Sequence, residues 1–152
     1  SAYREIPLPY DTHPTRAELE ALAQSKTPLD ANLATNLLAH LDAGETLPTD
    51  YPYPVQVFRL GEKLTFVGLG GEVVVDYSLR LREEVRDPIV WVAGYCNDVM
   101  TYIPSRRVLA EGGYEADDAR KYYNHPARWA PTVEETIVGA VHELRRELET
   151  SP

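Results

Sequence analysis

The sequence has almost no cysteine: Cys96 is the only one among 152 residues. A single cysteine excludes a disulfide within the chain and a zinc site built from paired cysteines. No apolar run approaches the roughly 20 residues that a helix needs to cross a bilayer. The sequence therefore predicts neither a disulfide-stabilised scaffold nor a membrane-spanning helix within these residues.

Positive charge is also scarce. The chain has 15 Lys and Arg against 24 Asp and Glu, a formal net charge of -9. No run of basic residues interleaved with aromatic residues is present, so nucleic acid is not an expected partner. An acidic surface is explained by solubility and indicates no particular function. The length fits one domain with a buried core.

The first 50 residues are predicted to form a helical arm. Thr12 or Thr15 is a candidate N-cap for a helix that ends near Ala23. A second helix follows Pro28, with leucines along one face, and ends at Gly44. The leucine face favours packing into a core, and oligomerisation through the arm is the alternative.

Residues 51–152 are predicted to form an α/β (α+β) segment with a mixed sheet, flanked by helices. VQVFRLG and KLTFVGLGG are typical of a β-hairpin. A helical pattern covers Glu72 to Val85, and PIVWVAGY, residues 88–95, is typical of a buried strand. A strand, a helix and a second strand joined by short connections predict a parallel pair. The last helix is predicted from about Thr132 to Leu148.

Glu72 is the residue on which the functional interpretation depends. It follows the glycines of GLGG, residues 68–71, at the predicted start of a helix, where a carboxylate stabilises the first turn. The alternative is a site, because Tyr95 and Tyr102 flank the loop after the next strand. Loops that follow parallel strands open at one sheet edge, where α/β folds bind ligands. Tyr114 lies on a third irregular segment that we expect near them.

Other chemistries find less support. GLGG lacks the further glycine of a dinucleotide fingerprint and the Gly-Lys-Ser/Thr of a phosphate loop. The histidines are scattered and form no zinc motif within the chain. They are His13, His40, His125 and His142. Cys96 has no histidine near it in sequence, which favours a structural cysteine over a nucleophile.

Three segments together resemble a known family. PVQVFRLG, GGEVVVDYSLRLREE and GYCNDVMTYIPSRRVLAEGGYE match, in order and spacing, the C-terminal part of the catalytic domain of neutral/alkaline (non-lysosomal) ceramidases. The resemblance covers about residues 54 to 115. It implies a zinc-dependent amidohydrolase of sphingolipid metabolism that cleaves the N-acyl bond of a ceramide-like lipid.

The resemblance also implies roles for individual residues. Glu72 and Tyr102 take the positions of two zinc ligands, and Tyr114 takes the position of a catalytic tyrosine that steadies the oxyanion. The two zinc histidines of the family have no counterpart here. We therefore expect a fragment of a longer chain, whose N-terminal remainder supplies the histidines, and no activity from the 152 residues alone.

Localisation follows from the resemblance only, which suggests a secreted, periplasmic or membrane-associated protein. The alternative function is a non-catalytic α/β domain derived from the same fold and used for binding or assembly.

Overall fold

The computed structural model describes residues 1–150 and contains two β-sheets with helices around them. The strands are β1 (Ala2–Pro9), β2 (Asp50–Leu60), β3 (Leu64–Leu69), β4 (Glu72–Val73), β5 (Ile89–Ala93) and β6 (Tyr102–Ile103). The helices are α1 (Arg16–Leu22), α2 (Pro28–Asp42), α3 (Val75–Glu84), α4 (Arg106–Glu111) and α5 (Val133–Thr150), and a 3-10 helix covers Asp118–Tyr123.

The larger sheet is mixed, with the strand order β1-β2-β3-β5. β2 pairs antiparallel with both β1 and β3, whereas β3 pairs parallel with β5. The helix α3 connects the parallel strands. The predicted α+β class, the hairpin and the parallel pair are therefore confirmed. The smaller sheet is the parallel pair β4-β6.

The core lies on one face of the larger sheet. Valines of β2 and β3 alternate toward this face, and α5 covers it with its own apolar stripe, which includes Ile137 and Val141. A second cluster joins α1 and α2 through Leu19, Leu33 and Leu37, so the leucine stripe of the arm is core. Among residues 1–150 no helix is long and apolar enough to cross a bilayer.

The start of the chain departs from the predicted helical arm, because Ala2–Pro9 is a strand. AYREIPLP alternates so that Ile6 and Leu8 are buried on the core face. β1 is an edge strand of the sheet, where the missing N–H of Pro7 is tolerated. The helices predicted for the arm correspond to α1, which Thr15 caps, and to α2.

Two other elements differ from prediction. The strand predicted as buried over residues 88–95 is the edge strand β5, with Ile89 and Trp91 more than half exposed. Only one of its faces is covered by a helix. The predicted helix from Glu72 begins instead at Val75, because Glu72 and Val73 extend to pair with β6.

Candidate functional site

Gly70 and Gly71, the glycine pair after β3, let the backbone approach residues 98–103 closely. Gly71 has φ +67°, its N–H donates to the Asp98 carbonyl at 2.8 Å, and its carbonyl accepts from Tyr95 N–H at 2.8 Å. A β-carbon at Gly71 would lie 2.7 Å from the Thr101 carbonyl oxygen. Both the left-handed conformation and the lack of space require glycine. The pair thus fixes the loop of residues 95–101 against the chain.

The short β4-β6 ladder brings Glu72 beside Tyr102. The two are partners in a parallel register, and Glu72 N–H donates to the Thr101 carbonyl at 2.9 Å. Val74 N–H donates to the Ile103 carbonyl at 3.2 Å. Partnered residues of adjacent strands project to the same side, so a carboxylate and a phenol share one surface.

Two buried tyrosines hold the ends of these segments in place. The Tyr53 hydroxyl donates to the Gly70 carbonyl at 2.8 Å, just before Glu72. The Tyr77 hydroxyl donates to the Pro104 carbonyl at 3.0 Å, just after β6. Both side chains are fully buried, so these bonds are shielded from competing water. Sequence analysis did not single out either positioning residue.

Glu72 and Tyr102 open into a cleft of about 340 Å³. The rings of Tyr102 and Tyr114 meet edge to face at 5.7 Å between centroids, and those of Tyr114 and Tyr122 at 6.5 Å. Aromatic walls with one carboxylate suit a ligand that is mainly apolar with a polar group. The cleft is lined by Glu72, Tyr95, Val99, Thr101, Tyr102, Tyr114, Ala119, Tyr122 and Tyr123.

Glu72 sets the ionisation of the phenols around it. A hydrogen bond to Glu72 is the main cause that raises the pKa of Tyr95, to about 12, and it also raises the pKa of Tyr102. At neutral pH both side chains are therefore phenols that donate to the carboxylate.

The Tyr95 loop has an uncommon backbone. Tyr95 (φ 58°) and Asn97 (φ 67°) are both left-handed, which is uncommon for residues other than glycine. Asn97 Nδ2 donates to Gln56 Oε1 at 3.2 Å, and Asp98 accepts from the Tyr51 hydroxyl at 2.7 Å. These contacts hold the loop so that the Tyr95 side chain lines the cleft.

The structure brings together the residues that the sequence singled out. Glu72, Tyr102 and Tyr114 line one cleft, and Tyr95 joins them. The interpretation of Glu72 as a first-turn carboxylate is wrong, because it lies in β4 and α3 begins at Val75. Sequence analysis missed Tyr122 and Tyr123. Their signal was weak, two tyrosines in a segment with no recognisable pattern.

Metal-ligating side chains do not cluster among the described residues. Over residues 1–150 no three His, Cys, Asp or Glu side chains gather to hold a metal. His125 is buried, and its Nε2 donates to the Met100 carbonyl at 3.0 Å. His142 pairs with Glu84. Glu72 and Tyr102 offer two oxygen donors to a metal, fewer than the four ligands of a typical zinc site.

A larger cleft, about 650 Å³, lies beside α1 and is lined in part by Arg120 and Arg128. Arg120 forms an ion pair with Asp117, and Arg128 forms one with Asp11. The smaller cleft is the better candidate for chemistry, because its polar groups converge on one point.

Comparison with known proteins gives one informative match. No protein-family model and no curated protein matches the chain. A solved structure described as a ceramidase complexed with C2 matches with a TM-score of 0.54 and 16% sequence identity. The match covers 97% of this chain and 29% of the ceramidase chain. This chain thus shares the fold of a part of that ceramidase and spans less than a third of its length.

Proposed function

We propose that this chain forms one wall of the active site of a zinc-dependent amidohydrolase that cleaves the N-acyl bond of a ceramide-like lipid. The observation that carries the proposal is the convergence of Glu72, Tyr102 and Tyr114 in one cleft. The fold that the chain shares with a part of a ceramidase also supports it.

In this proposal Glu72 and Tyr102 hold zinc, together with histidines from the remainder of a longer protein. Zinc, when bound, acidifies water and polarises a carbonyl. A phenol binds a metal only after it loses its proton, so Tyr102 would hold zinc as a phenolate. The β4-β6 register places Tyr102 beside Glu72.

Tyr114 has a different role, as the catalytic residue that touches the reacting amide. Its ring lies against that of Tyr102, at 5.7 Å between centroids, and both residues line the same cleft. A donor aimed at the oxygen of a tetrahedral state stabilises the developing negative charge. The rings of Tyr122 and Tyr123 would provide apolar walls for the lipid chains.

A non-catalytic binding or assembly domain of the same fold is the second candidate. The incomplete ligand set within residues 1–150 favours it. A binding domain would retain the cleft and the aromatic walls, and it would hold no zinc.

Zinc content and hydrolysis of a fluorescent ceramide distinguish the two candidates. We would measure both on the native protein, meaning the protein purified under non-denaturing conditions from the cells that make it. Wild type is compared with Glu72→Gln and with Glu62→Gln, a control in the exposed β2–β3 turn. We expect only Glu72→Gln to lose zinc and activity. Wild-type protein without zinc or activity supports the binding domain.

A further inference from the structure

Within residues 1–150, one face of the four-stranded sheet has no helix over it. The helices α3 and α5 pack on the face that contains Val57 and Val67. The opposite face carries two apolar rows that run in register across β2, β3 and β5. We call this surface the outer sheet face; its residues are Phe58, Phe66 and Trp91 in one row and Leu60, Leu64 and Ile89 in the other.

The outer sheet face is apolar and open. Trp91 is 62% exposed, Leu60 58% and Ile89 55%. The ring of Phe66 lies edge to face between those of Phe58 and Trp91, at 5.9 Å from each. Contiguous apolar surface of this kind marks an interaction site. Parallel strands such as β3 and β5 are normally covered on both faces.

The outer sheet face continues into the candidate cleft. Gln56 and Gly68 form the next row on this side, and Cys96 packs over Gly68, where an added β-carbon would lie 3.3 Å from Cys96 Cβ. Asn97 bonds to Gln56 at 3.2 Å. Tyr95, next to Cys96, lines the cleft. A polypeptide that covers this face is therefore adjacent to Glu72 and the tyrosines.

We propose that the outer sheet face docks the polypeptide that completes the cleft: an apolar protein surface that also brings imidazole nitrogens beside Glu72 and Tyr102. This inference rests on the proposed function. The cleft holds a carboxylate and phenols but no group of three ligating side chains within residues 1–150. The ceramidase that shares this fold has 71% of its chain outside the matched part, since 29% is covered.

Trp91 reports directly on docking. These 152 residues contain two tryptophans, and because Trp129 is only 3% exposed, their quencher-accessible signal comes from Trp91. In the native protein we expect Trp91 to be shielded from acrylamide, with Trp91→Phe identifying its signal. Leu60→Lys should remove this shielding and the bound zinc. Leu79→Lys is the matched control, since Leu79 on α3 is 60% exposed, and it should change neither.

Cross-linking from Lys63, exposed in the β2–β3 turn beside the outer sheet face, identifies the occupant. Links to a histidine-bearing region outside residues 1–152 support the proposal. Links to a second copy of this chain, or an accessible Trp91, overturn it. An accessible Trp91 with zinc and activity present refutes docking and leaves the proposed function standing. A shielded Trp91 linked to another polypeptide, without zinc or activity, refutes the proposed function and leaves the docking face standing.

Discussion

Replacement of Gly71 by alanine tests whether the chain approaches itself as closely at the site as the structure indicates. The left-handed conformation, φ +67°, costs a residue with a β-carbon about 1–2 kcal/mol. The added carbon would also lie 2.7 Å from the Thr101 oxygen, 2.8 Å from Met100 Sδ and 2.9 Å from Ile103 Cγ1. Overpacking of this kind costs about 1–3 kcal/mol. We therefore expect Gly71→Ala to lower the free energy of unfolding by about 2–5 kcal/mol.

Gly61→Ala separates the two contributions. Gly61 has nearly the same backbone angle, φ +62°, and nothing lies within 4 Å of its added β-carbon. It should therefore show only the conformational cost, about 1–2 kcal/mol. Urea denaturation of both variants gives the difference, expected to be about 1–3 kcal/mol.

Hydrogen exchange shows where Gly71→Ala acts. The amides of Tyr95 and Glu72 donate to the Gly71 and Thr101 carbonyls, so both should exchange faster in this variant than in Gly61→Ala. Equal unfolding free energies for the two variants, with unchanged exchange at these amides, would refute the close approach and the loop geometry that depends on it.

The remaining predictions concern pH, an ion pair and the reacting tyrosine. Burial lowers the pKa of His125 below 6.5, so the unfolded chain takes up a proton in acid that the native protein does not. The free energy of unfolding of the wild type should therefore fall from about pH 7 to about pH 5.5, and that of His125→Gln should fall less. Asp87→Ala removes the more buried of the two carboxylates that Arg145 contacts, at 2.8 Å, and leaves Glu149. It should lower the free energy of unfolding in urea by about 2–4 kcal/mol, against about 0–1 kcal/mol for Asp118→Ala, which is exposed. Tyr114→Phe should lower the rate of amide hydrolysis by about 10²–10³ with zinc content unchanged.

Each of these has a contrary result. Equal pH slopes for wild type and His125→Gln would mean that burial does not exclude the proton. Equal losses of unfolding free energy for the two aspartate variants would show that the Asp87–Arg145 pair behaves as an exposed ion pair. Loss of zinc from Tyr114→Phe would place Tyr114 at the metal instead of at the reacting carbonyl.

The sequence alone determined the elements whose patterns are local. The hairpin follows from alternating apolar residues on either side of the Gly61 turn. A helix near α1 follows from the two candidate caps Thr12 and Thr15, of which the structure uses Thr15. The order of segments that resembles a ceramidase was also visible, and it directed attention to Glu72, Tyr102 and Tyr114. Such signals lie within a few neighbouring residues, where propensity and periodicity act.

Only the tertiary structure decided which residues share the cleft and which face of the sheet is open. Glu72 is in a strand because β6, some 30 residues later, pairs with it, and this overrides a helical pattern in its own sequence. The 3-10 helix adds Tyr122 and Tyr123 to the cleft through contacts remote in sequence. PIVWVAGY is as apolar as a buried strand, yet β5 is an edge strand with Trp91 exposed. A local sequence pattern shows how apolar a strand is, whereas the elements that pack around the strand determine whether its faces are covered.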